Sequence, residues 1–390
     1  MKKIILVLTA FMAFASSCSE KKLKPISESM GKPQKVTDIK TQAIAGGVLI
    51  SYRIPDEEDL LAVKGVYTLT NKKTYEVTSS LYENKIKLEG YNDVDEHIVK
   101  LYSINRAQEI SDPVAVSFTP LESSLNKVSK TVKIERSFGG AQFSWFNKDK
   151  SALTFDFMAQ DSTGSLKTMK IITSQSDSVK HMLHGFKPEP RVFAALVMDN
   201  WGNVSDTIYP PGKEIVPLYE EKLDKSRMSI MKLGSDANFT NFDGAEAYLI
   251  DDDISTYGHT SSSSLPASFT IDLGETAKLS RLVMYQRQDE PFCWGNPKNF
   301  EVYGCQNRPS QDGDWDDWTW IMHCTIIKPS GSPVDTNTDE DMAALKAGHE
   351  FVFDLNQPPV RYVRIKIIDT WEGSTFTHPA EVTLYGAAEE

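Results

Sequence analysis

The sequence predicts an all-β protein built from three sandwiches in a row, and three observations carry that expectation. Two stretches match each other at an offset of about 93 residues. Apolar and polar residues alternate along most of the longer runs. The last part of the chain is a series of strand-like runs, several of them ending in glycine. A chain of 390 residues exceeds one compact core, and at roughly 100 to 200 residues per domain it divides into two to four units.

The repeat has two anchor points. Gly46-Gly47 precedes Val48-Leu49-Ile50-Ser51-Tyr52, and Gly139-Gly140 precedes Ala141-Gln142-Phe143-Ser144-Trp145. Asn105 to Asp112 and Asp199 to Asp206 both follow strand-like runs and place Ser111 and Ser205 at nearly the same offset. Two anchors at one spacing indicate a duplicated unit. Val48, Ile50, Tyr52 and Ile54 recur at every second position, as do Leu153, Phe155 and Phe157, and a period of two means half-buried strands. Asn71-Lys72, Glu89-Gly90, Ser162-Thr163-Gly164 and Asn200 to Asn203 cut these runs at short intervals. The pattern predicts immunoglobulin or fibronectin type III-like sandwiches over residues 34–120 and 121–213. No cysteine lies between positions 19 and 292, so packing alone must hold them. They are read as a spacer. The polar run Tyr219 to Arg227, with alternating Glu and Lys, is expected to be a solvated helix or linker into the third unit.

The N-terminus carries an address. Lys2 and Lys3 precede an apolar run from Ile4 to Phe14, which is the pattern of a signal peptide over residues 1–17 and too short for a mature membrane span. Ala15-Ser16-Ser17-Cys18 resembles the lipobox of bacterial lipoproteins, so Cys18 is expected to become the acylated first residue. Residues 18–33, polar, with Lys21, Lys22, Lys24 and two prolines, read as a tether. The 42 Lys and Arg against 54 Asp and Glu give a net charge of −12, which repels phosphate backbones and argues against nucleic acid as a partner.

From about Leu223 onward the strand signals strengthen, in Phe269 to Gly274, Leu282 to Tyr285, Phe300 to Gly304, Phe351 to Leu355, Tyr362 to Ile367 and Glu381 to Gly386. The order of Asp251-Asp252-Asp253-Ile254-Ser255-Thr256, Phe269 to Gly274, Arg281-Leu282, Asn299-Phe300-Glu301, Arg361 to Arg364 and Ala380-Glu381-Val382 resembles the discoidin, or coagulation-factor type C, galactose-binding-like jelly roll. The third domain, residues 214–390, is therefore expected to be a linker followed by that jelly roll. The whole chain after Cys18 is also similar to a family of lipid-anchored proteins encoded with polysaccharide-utilisation systems of Bacteroidota. That similarity rests on Ile54 to Lys64, Asp199 to Asp206, Leu218 to Lys225, Gly295 to Lys298 and Lys328 to Gly331. It implies a glycan-binding or scaffold protein of the outer membrane, beside an importer complex.

The discoidin resemblance further implies a structural Ca²⁺, with a carboxylate from Asp251, a carbonyl from Asp253, the hydroxyl of Thr256 and the carboxylate of Glu381. The chain departs from that pattern at Asp252, where the family has glycine. Aromatic side chains in loops are the expected sugar platforms, because a ring face accepts the C–H face of a pyranose. Trp294, Trp371, Phe376 and His378 stand in such loops, with Arg287 and His259 expected to supply hydrogen bonds. Trp318 and Trp320 share one parity of a strand and are expected in the core. Cys305 and Cys324 are plausible disulfide partners across neighbouring strands, with connectivity open. The acidic cluster Asp312 to Asp317 fails as an EF-hand, because its sixth position is Asp317 rather than glycine.

No His-Glu-x-x-His, Gly-x-Ser-x-Gly or phosphate-binding glycine loop occurs. Three sandwiches leave no length for a catalytic barrel, so the chain is read as a non-enzyme. The leading expectation is a lipid-anchored, surface-exposed outer-membrane protein that captures polysaccharide for a Sus-like uptake system. The alternative is a non-catalytic structural or protein-interaction subunit of a cell-surface complex.

Overall fold

The computed structural model describes residues 27–389, so the leader and Cys18 lie outside the described residues. The chain is all-β, with two immunoglobulin or fibronectin type III-like sandwiches followed by a galactose-binding-like jelly roll. In the first sandwich a three-stranded sheet, ordered Thr37–Ile44, Gly47–Arg53, Lys85–Glu89, faces a four-stranded one, ordered Thr74–Ser80, Leu60–Thr68, His97–Asn105, Val114–Phe118. The second repeats that order with Lys133–Ser137, Gly140–Phe146, Ser178–Leu183 against Leu166–Ser174, Leu153–Gln160, Arg191–Asp199, Glu214–Ile215. The alternating residues Val48, Ile50 and Tyr52 are buried in the first, and Phe143, Trp145, Phe155 and Phe157 in the second. There the Trp145 ring stacks on Phe155 with centroids 4.0 Å apart.

The repeated motifs have a backbone explanation. Gly46 and Gly139 turn their hairpins in left-handed conformations, at φ 62° and 61°, which favour glycine. Gly47 and Gly140 are required by contact, since a Cβ there would sit 2.0 Å from the Leu88 carbonyl oxygen and 1.9 Å from that of Leu183. In the second motif Ser111 Oγ accepts the Ser103 N–H at 2.9 Å, and Ser205 Oγ accepts that of Val197 at 3.0 Å. Likewise Asn105 and Asp199 each accept a backbone N–H four residues on. The copy in the second sandwich has a further task. Trp201 leans edge-on against Tyr75, 5.3 Å between centroids, and the Asn203 amide donates to the Gly90 carbonyl at 2.9 Å, so this turn joins the two sandwiches.

In the third unit the 20-residue strand Ala267–Gln286 is the axis of an eight-stranded sheet. It lies between Pro379–Ala388 and Val360–Thr370, and the latter continues the sheet through Pro297–Cys305 to Thr319–Thr325. Ser229–Ile230 pairs with Ile271 and Asp272 of the same strand, and His349–Val352 with its residues 281–284. Phe269, Ile271, Leu282, Met284, Phe300, Val363, Ile365 and Val382 close the core. Buried Arg364 is held by Asp236 at 2.9 Å and by the Gly313 carbonyl at 2.9 Å, with its guanidinium 4.0 Å from the Trp315 ring centre. The acidic cluster thus forms the turn that receives this arginine. Removing either partner of such a buried pair costs about 3–5 kcal/mol.

Three expectations need correction. Trp318 is buried but Trp320 is 53% exposed, because Trp318 closes a 3-10 turn before the strand and a register shift falls opposite Trp320 at Val302/Tyr303. Tyr219 to Arg227 is docked rather than solvated, since Glu221–Lys222 pairs with the last strand and Leu223 is buried in the third core. Cys305 and Cys324 are free, because register sets Cys324 opposite Phe300 and Cys305 opposite Tyr362.

The close glycine contacts give a test. Gly140→Ala is expected to lower the unfolding free energy by about 2 kcal/mol or more in a urea melt, since the added methyl drives into a carbonyl oxygen. A midpoint equal to that of the parent would contradict the close approach.

Candidate ligand-binding site

Three loops meet at one end of the third unit, formed by residues 239–260, 287–297 and 371–378. His259 is buried at their junction, its Nδ1 2.7 Å from the Thr260 carbonyl oxygen. Phe376 stacks on it with centroids 5.1 Å apart and planes at 15°, and Phe242 lies 4.8 Å away on another side. His378, fully buried, accepts the Gly295 N–H through Nε2 at 3.1 Å, while the His378 N–H returns a bond to the Gly295 carbonyl at 2.9 Å. A Cβ at Gly295 would meet the Phe376 ring at 2.7 Å, so the second loop presses directly on the third. That contact directs the chain so that Trp294, at φ 48°, stands 51% exposed beside the cluster.

Arg287 supplies the polar side. Its guanidinium is clamped by Asp289 at 2.6 and 2.8 Å and lies 4.1 Å over the Tyr257 ring, while its backbone N–H is held by the Asn296 side chain at 2.8 Å. The hydrogen bonds to Asp289 raise the arginine further above its ordinary value and lower that of the carboxylate, so both stay charged. Burial pushes His378 down to about 4 and lowers His259 as well, leaving both rings neutral near pH 7.

Of the six ligand-binding residues read from sequence, His259, Arg287, Trp294, Phe376 and His378 gather here. Trp371 is different. Its backbone N–H bonds to Asn296 at 3.3 Å, but the ring packs edge-on to Phe292 at 5.3 Å with the Lys298 ammonium 5.2 Å from its face. Its ring is taken up by packing. Phe242, Tyr257 and Asp289 are members that sequence reasoning missed. Phe242 is 73% exposed, and it precedes Asp243 and Gly244 in a turn where a Cβ at Gly244 would lie 2.6 Å from the His259 nitrogen. The Asn-Phe-Asp-Gly run, a turn with an aromatic at its tip, was the available signal. Chemically, exposed rings beside a charged pair and neutral imidazoles suit an uncharged polyhydroxylated ligand.

Of the residues implied as calcium ligands, Asp251, Asp253 and Thr256 share one loop and Glu381 lies on the last strand, and together they do not fit the ion. Both Asp251 oxygens accept the Thr256 hydroxyl, at 3.1 and 2.9 Å, and the same hydroxyl lies 2.9 Å from the Asp253 carbonyl. Glu381, however, is buried against the Lys225 ammonium, and its other oxygen accepts the Asp252 N–H at 3.1 Å. A hard cation asks for six to eight oxygens and no neighbouring ammonium. Among the described residues no group of three or more His, Cys, Asp or Glu is arranged to hold a metal.

Residues 33–120 match the family described as a domain of unknown function, DUF4959, residues 121–226 match DUF5126, and residues 249–386 match DUF5000, both also described as domains of unknown function. The solved "SusE-like protein BT2857" is 31% identical, over 67% of this chain and 98% of that one, with a TM-score of 0.44. The chain belongs to the SusE-like family. Membership rests on that identity along almost the whole of the relative. Two more distant structures also match the SusE-like chain. CBM32-3 of a family 31 glycoside hydrolase from Clostridium perfringens is 19% identical over 42% of this chain and 94% of that one, at a TM-score of 0.32. A two-domain fibronectin type III segment of chicken tenascin is 12% identical over 47% and 99%, at 0.23. No curated protein matches the chain.

Histidines drawn wholly or partly out of solvent make stability pH-dependent. His181, His349 and His378 are each pushed down to about 4 by burial, so the folded state takes up these protons later than the unfolded chain does. Their contribution is complete above about pH 6.5 and is lost as pH falls toward 4, at up to about 1.4 kcal/mol per unit for each ring. Glu381, pushed up to about 7 by burial, works the other way as pH rises from its unfolded value to about 7. The three rings outweigh it. Urea midpoints are expected to fall between pH 6.5 and pH 4.5, and the fall to be shallower in His378→Gln. Parallel profiles for the two proteins would exclude the assignment for His378.

Proposed function

We propose that this SusE-like protein is a lipid-anchored glycan-binding protein of the outer membrane. It captures polysaccharide for a Sus-like uptake system through its third, discoidin-like domain. The observation that carries the reading is the pair of exposed rings, Phe242 and Trp294, set against buried His259 and His378 and half-buried Phe376 at one loop end. Arg287 and Asp289 are the hydrogen-bonding groups for sugar hydroxyls, and the rings provide the stacking faces. Family membership and the carbohydrate-related distant matches support this reading.

The first two sandwiches serve as the arm. Their joint through Trp201 and Asn203 supports a stiff extension rather than a loose chain. Cys18 is the anchor: acyl chains there contribute about 0.8 kcal/mol per buried CH₂, which is enough for lasting attachment when more than one chain is present. Among the described residues no helix is long and apolar enough to cross a membrane. The protein acts by holding a polymer, and weak single sites gain from multivalency along it.

Affinity electrophoresis of the full chain through gels containing different polysaccharides tests the reading. Retention by at least one glycan is expected, with Trp294→Ala and Phe242→Ala each weakening it at least about tenfold. Trp371→Ala is expected to lower stability more than retention. Equal retention of parent, Trp294→Ala and Phe242→Ala would move the site elsewhere. Passage through every gel would favour a non-catalytic structural or protein-interaction subunit.

A further inference from the structure

The connection between the second and third units carries a lysine in an unusual position. Asp224 caps a 3-10 turn over Lys225–Arg227, its side chain accepting the Ser226 N–H at 2.9 Å. Just before it, the Leu223 N–H bonds to the Leu384 carbonyl at 3.0 Å and the Leu223 side chain enters the core. The two contacts turn Lys225 inward, so that its side chain is only 7% exposed. Its ammonium touches the Glu381 carboxylate and lies 2.8 Å from Asp252 Oδ1. Lys222 adds a second ammonium 2.6 Å from the same Asp252 oxygen. Asp252 adopts φ 68°, a left-handed conformation that aspartate tolerates, and its N–H donates to the second Glu381 oxygen.

Each ammonium in this knot is paired with a carboxylate without an ion, and Asp251, whose charge also reaches Glu381, is capped by the Thr256 hydroxyl. Two carboxylates, Asp252 and Glu381, face two ammonium groups, Lys222 and Lys225. A buried carboxylate needs either a paired cation or a proton, and here the chain supplies the cation. A divalent ion bound to Glu381 would have to displace the ammonium from a nearly closed site and leave it without a partner.

We infer that the Lys225 ammonium is the resident cation of the 251–256 loop, joining Glu381 to Asp252 where a divalent metal would otherwise be needed. Two consequences follow from one side chain. The third unit folds without calcium, and the connection from the second unit is fastened to the third by charge. Glu220 reinforces the fastening from the same segment, accepting the Ser280 hydroxyl at 2.6 Å and pairing with Arg281 at 3.3 Å. The inference goes beyond glycan binding and does not depend on it.

Thermal unfolding of the full chain after dialysis against a chelator, with and without millimolar calcium chloride, tests it. The parent is expected to melt at the same temperature in both conditions and to hold no stoichiometric calcium by elemental analysis. Lys225→Met is expected to melt several degrees lower, because Glu381 is left as an uncompensated buried charge. Lys225→Met combined with Glu381→Gln is expected to recover part of that loss, since it removes the orphaned charge. A parent melting temperature that rises with calcium would overturn the inference, as would stoichiometric bound calcium. So would a Lys225→Met variant as stable as the parent. If Lys225→Met fails to fold, the parent's response to chelator and its calcium content still decide the matter.

Discussion

The third unit depends on one strand keeping its register over an unusual length. Ala267–Gln286 runs 20 residues and pairs along its course with Ser229–Ile230, Val360–Thr370, Pro379–Ala388 and His349–Val352. A slip of one residue would turn Ile271, Leu282 and Met284 out of the core and expose polar neighbours to it. Because both neighbouring strands read their register from this one, the 371–378 loop that joins them meets the segments before and after the long strand at a fixed place. The cluster of His259, Phe376 and His378 is a product of that register.

The same strand organises the contact with the rest of the chain. Arg281 projects from it with its side chain 8% exposed and lies 3.4 Å over the Tyr385 ring. It pairs with Glu220 on the connecting segment and with Glu350 at 3.0 Å, and Glu350 reaches His184 of the second sandwich at 3.4 Å. Charge and aromatic contacts thus fix the second unit to the third, while the first joint uses Trp201 packing over Gly90. One joint is mainly electrostatic and the other combines ring packing with neutral hydrogen bonds across it. The first kind weakens with salt only where it reaches solvent, and Arg281 does not.

Much of the site was legible because loop position is written in local signals. Trp294 precedes Gly295-Asn296-Pro297, and Phe376 and His378 follow a glycine and small polar residues, so both segments read as loops between strands. Trp371 carried the same signal and differs only in what packs on it, Phe292 and Lys298, which are distant in sequence. Phe242 was missed because its exposure comes from a turn pressed against His259. Lys225 was missed for a related reason. A stretch of alternating Glu and Lys resembles a solvated face, and only the pairing of Leu223 with the last strand turns that lysine inward.

By itself the sequence determined the all-β class, the duplicated sandwiches and the glycines of the repeat. Period-two burial and left-handed turns are properties of neighbouring residues, and their order along the chain records them. Tertiary structure alone decided which aromatic faces stay open, which cysteines fail to meet, and which cation sits beside Glu381. Those outcomes depend on register between strands far apart in the chain, and no local pattern encodes a distance between residues 225 and 381.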